Sequence, residues 1–460
     1  EMEREAPDRD ETPAGPDDVL LGTDLALAIV SGARSTRHEP EALWWARGFD
    51  RWAGDPEIRD TLEKILPALA YRNQAVLGPD PAADLYGQVL RSGVVSLEGF
   101  ARCPFQFYAR SGLGLAERTT YELRPLDLGS LYHEVLHRFF VRTREENLRW
   151  SELDPETGKA IVREELEEAV PRLKADVFRA SARNRALLDE ARRTLEEYIE
   201  VLLFQARRTE FEPAAAELWF RNAPDLDLGK GRRLRIGGRI DRVDVVPGTE
   251  PLLVRVIDYK LSEQKQDLWK MEQGLALQLT TYLLALQSVP RETLGVGAVQ
   301  PAGAFFAPLR RPMGKVKGEP RGDAGDEPPG LKEYRMRGVY GEESAFRLDR
   351  EIEPQQWSRL HSMYRKKEGG LGKLSGSDHL PEGVMNRLIR TTEERLRDIG
   401  DAILSGRVAI EPCRIRRSAA CTYCDYMAVC RFEPPENHYR TLDPVKREDV
   451  VRALEAGDDA

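Results

Sequence analysis

The chain has no run approaching the ~20 consecutive apolar residues of a membrane span, so no helical span is expected. No basic-then-apolar stretch opens it, which sets aside a secretory signal. No G-x-x-x-x-G-K-S/T loop occurs, so ATP phosphates are not bound in the Walker fashion. There is no internal repeat. Cysteine is scarce: Cys103, Cys413, Cys421, Cys424 and Cys430 are the only five in 460 residues. Four of them crowd into 18 residues. An odd, clustered set without an export signal excludes a disulfide framework and points to metal binding in a reducing, cytoplasmic compartment. The first residue is Glu1, not Met, and a polar acidic segment comes after it; this reads as a piece of a longer protein.

Hydrophobic residues make up 41% and charged residues 32%, the balance of a globular chain. The length suggests two or three modules. The net charge is -9, from 69 basic and 78 acidic residues. Bulk acidity argues mildly against a nucleic-acid partner, but binding depends on where basic residues cluster. The acidic residues gather in 1–18 and 152–168, away from the segments that carry the chemistry.

Helical periodicity marks 20–30, 41–52 and 60–71, and Pro79-Asp80-Pro81 separates this region from the segment that opens at 93. Ser96 is placed to cap a helix, and a strong helix covers 128–142. Residues 152–210 read as two solvated helices. Strands are expected at 216–221, 233–246 and 252–261, the last two joined through Pro247-Gly248-Thr249-Glu250-Pro251. A helix over 271–287 and a strand over 303–308 come next. Residues 309–335, rich in Gly, Pro, Lys and Asp, read as a disordered insertion. One long helix spans 383–405, stopped by Gly406.

The sharpest chemical signal is Asp241 in Gly238-Arg239-Ile240-Asp241-Arg242, together with Ile257-Asp258-Tyr259-Lys260. Residues two apart on a strand share a face, so Asp258 and Lys260 point the same way. A hairpin would bring Asp241 beside them. Two carboxylates so placed suit Mg²⁺ or Mn²⁺. Lys260 could then orient a water and stabilise charge on phosphorus. Charged groups ending a strand as apolar as Val254, Val256 and Ile257 are costly unless they work.

Two further motifs admit more than one reading. His133-Glu134-Val135-Leu136-His137 matches H-E-x-x-H, which on a helix can hold zinc in a protease. The longer continuation is absent, with Phe140 where its glycine would stand, and Glu164 could serve as third ligand. Cys421, Cys424 and Cys430 form a compact thiolate set that needs a fourth ligand. Cys413 would complete a local zinc knot; Cys103 lies more than 300 residues upstream.

Six segments, in order, together resemble one family. They are Gly99-Phe100-Ala101-Arg102-Cys103-Pro104-Phe105-Gln106-Phe107, Leu128-Gly129-Ser130-Leu131-Tyr132-His133, the two segments holding Asp241 and Asp258, Gln278-Leu279-Thr280-Thr281-Tyr282, and the run from Ala420 to Phe432. Over about 93–435 they resemble the nuclease region of AddB/RecB-type PD-(D/E)XK proteins. The resemblance implies an α/β restriction-endonuclease-like core, a mixed sheet flanked by helices and closed by a 4Fe–4S cluster on Cys103, Cys421, Cys424 and Cys430, with Cys413 a free thiol. It implies that His133, Asp241, Asp258 and the Tyr259 carbonyl hold the metal, and that Gln278 and Tyr282 position DNA or Lys260. Residues 1–92 would be the helical tail of a helicase-like region, and 436–460 a C-terminal tail. The activity implied is Mg²⁺-dependent exonuclease cleavage of single-stranded DNA, within a complex with an AddA-type partner that processes double-strand ends for recombinational repair. Arg102, Arg110, Arg118 and Arg239 are candidates for a local basic groove. A non-catalytic DNA-binding scaffold and the zinc protease are the rival expectations.

Overall fold

A computed structural model describes residues 54, 56–65, 73–116, 125–179, 181–310, 327–328, 330–434 and 436–457. The helices expected at 20–30 and 41–52, Arg118, and residues 311–326 of the insertion lie outside them. The third expected N-terminal helix is described as Pro56–Ile65 (α1).

The centre is a six-stranded mixed sheet of β2 (Glu212–Phe220), β5 (Gly238–Val246), β6 (Leu252–Lys260), β7 (Val299–Pro308), β8 (Arg337–Gly341) and β9 (His379–Leu380), in that spatial order. β5 and β6 are rich in Val and Ile, side chains that suit a pleated, buried surface. They form an antiparallel pair. β6 and β7 run parallel, and the chain between them carries α7 (Gln278–Ser288).

Each face of the sheet has its own core. One is covered by α4 (Pro125–Glu145), α5 (Pro155–Arg179) and α6 (Ala182–Arg208), which bury Leu131, Phe139, Val162, Leu195 and Ile199 against Ile257 and Phe305. The other is covered by α3 (Val94–Arg102), α7 and α8 (Val384–Leu404), with Leu97, Leu283, Leu388 and Leu396 against Ile240, Val243 and Val256. α8 ends because Gly406 adopts φ +80°, and a Cβ there would meet the Gly78 carbonyl oxygen at 2.1 Å.

Several expectations are corrected. The pair of helices in 152–210 is not merely solvated: α5 and α6 each bury an apolar stripe in the first core. Each fully buried Leu or Ile there is worth about 1.5–3 kcal/mol, so these helices hold the sheet. The strand expected over 233–246 is two strands split at Gly237. β4 (Arg232–Ile236) leaves the large sheet and pairs with β1 (Val89–Ser92) and β3 (Asp225–Gly229). The helix expected over 271–287 starts only at Gln278, because Gly274 turns the chain at φ +74°. Ser96 lies inside α3, and Gly93 is its N-cap. Pro79 opens a helix, α2 (Pro79–Tyr86), where a break was expected. The end of the expected insertion is ordered: Leu331 and Tyr334 of a 3-10 turn are buried.

Segments on both sides of the expected nuclease unit join the body. β1 sits in the small sheet with β3 and β4, so the division drawn at 92/93 falls between elements that pack together. In the expected C-terminal tail, β12 (Arg440–Leu442) pairs with β10 (Cys413–Ile415), which also pairs with β11 (Ser418–Ala419). Val450 and Val451 of α9 (Arg447–Ala456) are buried in the second core.

Candidate active site and cysteine corner

The β2–β5–β6 register sets three carboxylates abreast. Ala216 pairs with Arg242 and Leu218 with Ile240, which puts Glu217 opposite Asp241. The β5–β6 ladder runs to Arg242–Ile257, so Asp241 and Asp258 are the next residues out. There the Asp241 carboxylate replaces a backbone acceptor: its Oδ2 accepts the Tyr259 N–H at 2.7 Å. The strands therefore part where the carboxylates stand.

His133 reaches this row from α4. Its Nδ1 lies 3.3 Å from Asp241 Oδ1 and 3.7 Å from Glu217 Oε1. Among the described residues, His133, Glu217 and Asp241 are the one group of three or more potential metal ligands with donor atoms within 4.8 Å of one another. Asp258 is buried beside them. Lys260 Nζ stands 2.5 Å from Asp258 Oδ2, and donates to Gln278 Oε1 at 3.2 Å. Gln278 Nε2 donates to Asp258 Oδ1 at 2.7 Å and to Tyr282 Oη at 2.9 Å. Asp258 and Lys260 are thus brought together, and so are Gln278 and Tyr282.

The electrostatics arise from crowding. Burial, and then the Asp241 charge, push Asp258 up to about 7 against the opposing pull of Lys260. Burial alone would lower His133; bonding to Asp241 and Glu217 outweighs it and raises the imidazole to about 10. Burial, with Asp258 next in effect, raises the Tyr282 phenol. Three carboxylates sharing a buried site with one imidazole and one ammonium make a donor set that a hard divalent cation fits.

Tyr259 turns its side chain to the opposite face. Its ring stands perpendicular to those of His133 and Tyr198, and its hydroxyl accepts from buried Arg242 at 3.0 Å. Arg242 and Arg255 both pair with buried Asp244, at 2.9 and 2.8 Å. This network holds the strands behind the carboxylates.

Two residues at the site were not anticipated. Glu217 is the only charged residue in the apolar run Ala214-Ala215-Ala216-Glu217-Leu218-Trp219-Phe220, the same signal that marked Asp258. Glu98 on α3 accepts the N–H groups of Leu277 (2.6 Å) and Gln278 (3.0 Å), capping α7 at the residue that holds Lys260. No local pattern shows that contact, because 180 residues separate Glu98 from Gln278.

The zinc-protease reading is not supported. His133 faces Asp241, while His137 lines a separate groove with Glu134, Arg138 and Arg142. Glu164, the candidate third ligand, is paired with Arg142 at 2.6 Å.

The second site is a corner of cysteines. Cys103 ends α3; Cys421 lies in a 3-10 turn that Cys424 caps; Cys430 closes a single helical turn. All four line one small cavity with Phe105, Ile410, Met427 and Phe432, and Cys413 is not among its walls. Burial pushes the Cys103 thiol up to about 11, against N–H groups of Gln106 and Phe105 that bond its sulfur. Burial also raises Cys421 and Cys424. No three of the four sulfurs lie within 4.8 Å of one another. Arg102, Arg110 and Arg239 are exposed, as a basic groove requires.

No described helix is long and apolar enough to cross a membrane. A family model described as the PD-(D/E)XK nuclease superfamily matches residues 93–431. The B-type subunit of the ATP-dependent helicase/deoxyribonuclease of Moorella thermoacetica is 35% identical over 94% of this chain. Proteins of the same name from Lysinibacillus sphaericus and Anoxybacillus flavithermus are 32% and 30% identical over 93% and 94% of it. The chain spans 38–39% of the length of these relatives.

Proposed function

Since the chain belongs to the PD-(D/E)XK nuclease superfamily, we propose that it is the nuclease-bearing part of an AddB-type helicase–nuclease protein. It hydrolyses phosphodiester bonds in single-stranded DNA released at double-strand breaks, as an exonuclease, in the cytoplasm, with an AddA-type partner. The nuclease unit is centred on 93–435, with β1 before it and α9 after it packed into the same body, and the rest of 1–92 is the end of an upstream helicase-like region. The observation that carries this reading is the row of Glu217, Asp241 and Asp258 beside Lys260.

His133, Asp241, Asp258 and the Tyr259 carbonyl would hold Mg²⁺ or Mn²⁺, with Glu217 alongside. The cation supplies Lewis-acid polarisation of the phosphate and lowers the pKa of water. The Lys260 ammonium, held between Asp258 and Gln278, is placed to stabilise charge on the phosphoryl oxygens and to orient a nucleophilic water. Gln278 bonds both that ammonium and Asp258, and Tyr282 accepts from Gln278, so their work is to position Lys260 and Asp258. Cys103, Cys421, Cys424 and Cys430 would hold a 4Fe–4S cluster whose role is structural; Cys413 stays a free thiol.

The test is cleavage of single-stranded DNA with Mg²⁺ by anaerobically purified protein, beside Lys260→Ala. The variant should lose roughly 10²–10³-fold in rate with its fold intact. Tight DNA binding by the wild type with no cleavage, even after an AddA-type partner is added, would favour the non-catalytic scaffold.

A further inference from the structure

β2 is the edge strand of the large sheet, and Trp219 on it is 62% exposed. Single exposed apolar residues are ordinary on protein surfaces, so exposure alone carries nothing. The surroundings of this one are specific. Trp219 stands two residues from Glu217 and opposite Arg239 in the β2–β5 register. The Arg239 guanidinium lies over the indole, 5.6 Å from its centroid, and also pairs with the Glu217 carboxylate. One half-exposed cation therefore joins the indole to the carboxylate row. Glu217 itself has φ 50°, the left-handed region that non-glycine residues seldom adopt, so β2 is bent where it meets the site. Arg221, one position beyond Phe220, is exposed at the same edge.

A flat aromatic face steadied by a cation, at the rim of a site built for phosphodiesters, matches how proteins hold single-stranded nucleic acid. Bases stack on exposed rings while neighbouring arginines meet the backbone. We infer that Trp219, oriented by Arg239, is a stacking platform for one base of single-stranded DNA beside the cleaved phosphate. This rests on the nuclease reading for the identity of the ligand.

The test is binding, so that it does not depend on cleavage. The full chain is titrated, without divalent cation, against a fluorescent oligodeoxythymidine and against a series in which one abasic site is moved along it. Trp219→Ala should weaken binding roughly tenfold, while Trp219→Phe, which keeps a ring, should stay within about threefold. At one position the abasic site should weaken wild-type binding by a similar factor and leave Trp219→Ala unaffected, because the ring and the base act as one unit. Equal affinity of wild type and Trp219→Ala would overturn the platform. So would abasic penalties of the same size in both proteins, whatever the affinity of the variant. If Trp219→Ala binds DNA normally but loses association with an AddA-type protein, Trp219 is a protein contact and the inference is wrong. Absence of DNA binding by the wild type would overturn this inference and the nuclease reading together; binding without cleavage would count only against the latter.

Discussion

The carboxylate row and the cysteine corner are two ways of building a site. In the row, every functional group already has a protein partner. His133 meets Asp241, Lys260 meets Asp258, and Gln278 bridges Asp258, Lys260 and Tyr282. The row sits on strands locked by the buried Arg242–Asp244–Arg255 network. In the corner, burial raises the thiols of Cys103, Cys421 and Cys424, and Cys421, Cys424 and Cys430 are carried by single turns. A site whose members bond to one another keeps its shape without a ligand. A site whose members only face one another depends on the ligand to hold it.

The largest effect should therefore come from the corner. Cys430→Ser should remove the visible absorbance of a 4Fe–4S cluster and lower the melting temperature by roughly 10 °C. Cys413→Ser should do neither. Equal loss of absorbance in both variants would mean that Cys413 belongs to the ligand set.

In the row, the proton is the competitor. Asp258 keeps its proton up to about 7, so a cation must displace it. Mn²⁺ affinity should strengthen as pH rises toward 7, by up to about tenfold per unit for each proton displaced, and rise less steeply above it, because His133, raised to about 10, must still give up its proton to bind. Asp258→Asn should remove the extra slope below 7 and leave the part due to His133. The same shift gives the folded state more bound protons than the unfolded state, so the metal-free fold should lose stability as pH rises toward 7. Calorimetric titration across this range checks both; a flat wild-type profile would contradict the assignment.

Glu98 sharpens the comparison, because its helix touches both sites: Cys103 ends α3, and Glu98 caps α7. Glu98→Ala should lower kcat several-fold and leave DNA affinity unchanged, while Glu98→Gln, which can still accept both N–H groups, should recover most of the rate. Equal loss in the two variants would show that charge matters, not the cap. The smallest effect is His137→Ala: cleavage should stay within about twofold, since His137 faces away from the row.

Legibility in the sequence divides along the same line. Asp241, Asp258 and Lys260 are readable because one hairpin fixes their relation through strand alternation. Gln278 and Tyr282 are readable as one helical turn. Glu217 is readable in principle, as a charge inside an apolar strand, yet it was not among the expected site residues. Spacing alone leaves the fourth cysteine open between Cys413 and Cys103; only the resemblance favours Cys103, and the shared cavity agrees with it. Glu98 and the break at Gly237 depend on tertiary contacts that no window of sequence contains. The depth of α5 and α6 is hidden by their charge, because a helix rich in Glu and Arg can still bury a full stripe.

The Asn73 amide donates to the carbonyls of Cys430 (3.0 Å) and Arg431 (2.7 Å), and Cys103 faces Cys421 across the same corner. During synthesis the ribosome releases Cys103 318 residues before Cys421. At ~5–20 residues per second that is a wait of roughly 15–60 s. Through that interval the first cysteine has no companion to share a ligand with. The corner can therefore close only after the whole central sheet has left the ribosome, so a filled corner reports that everything between its two halves has been made.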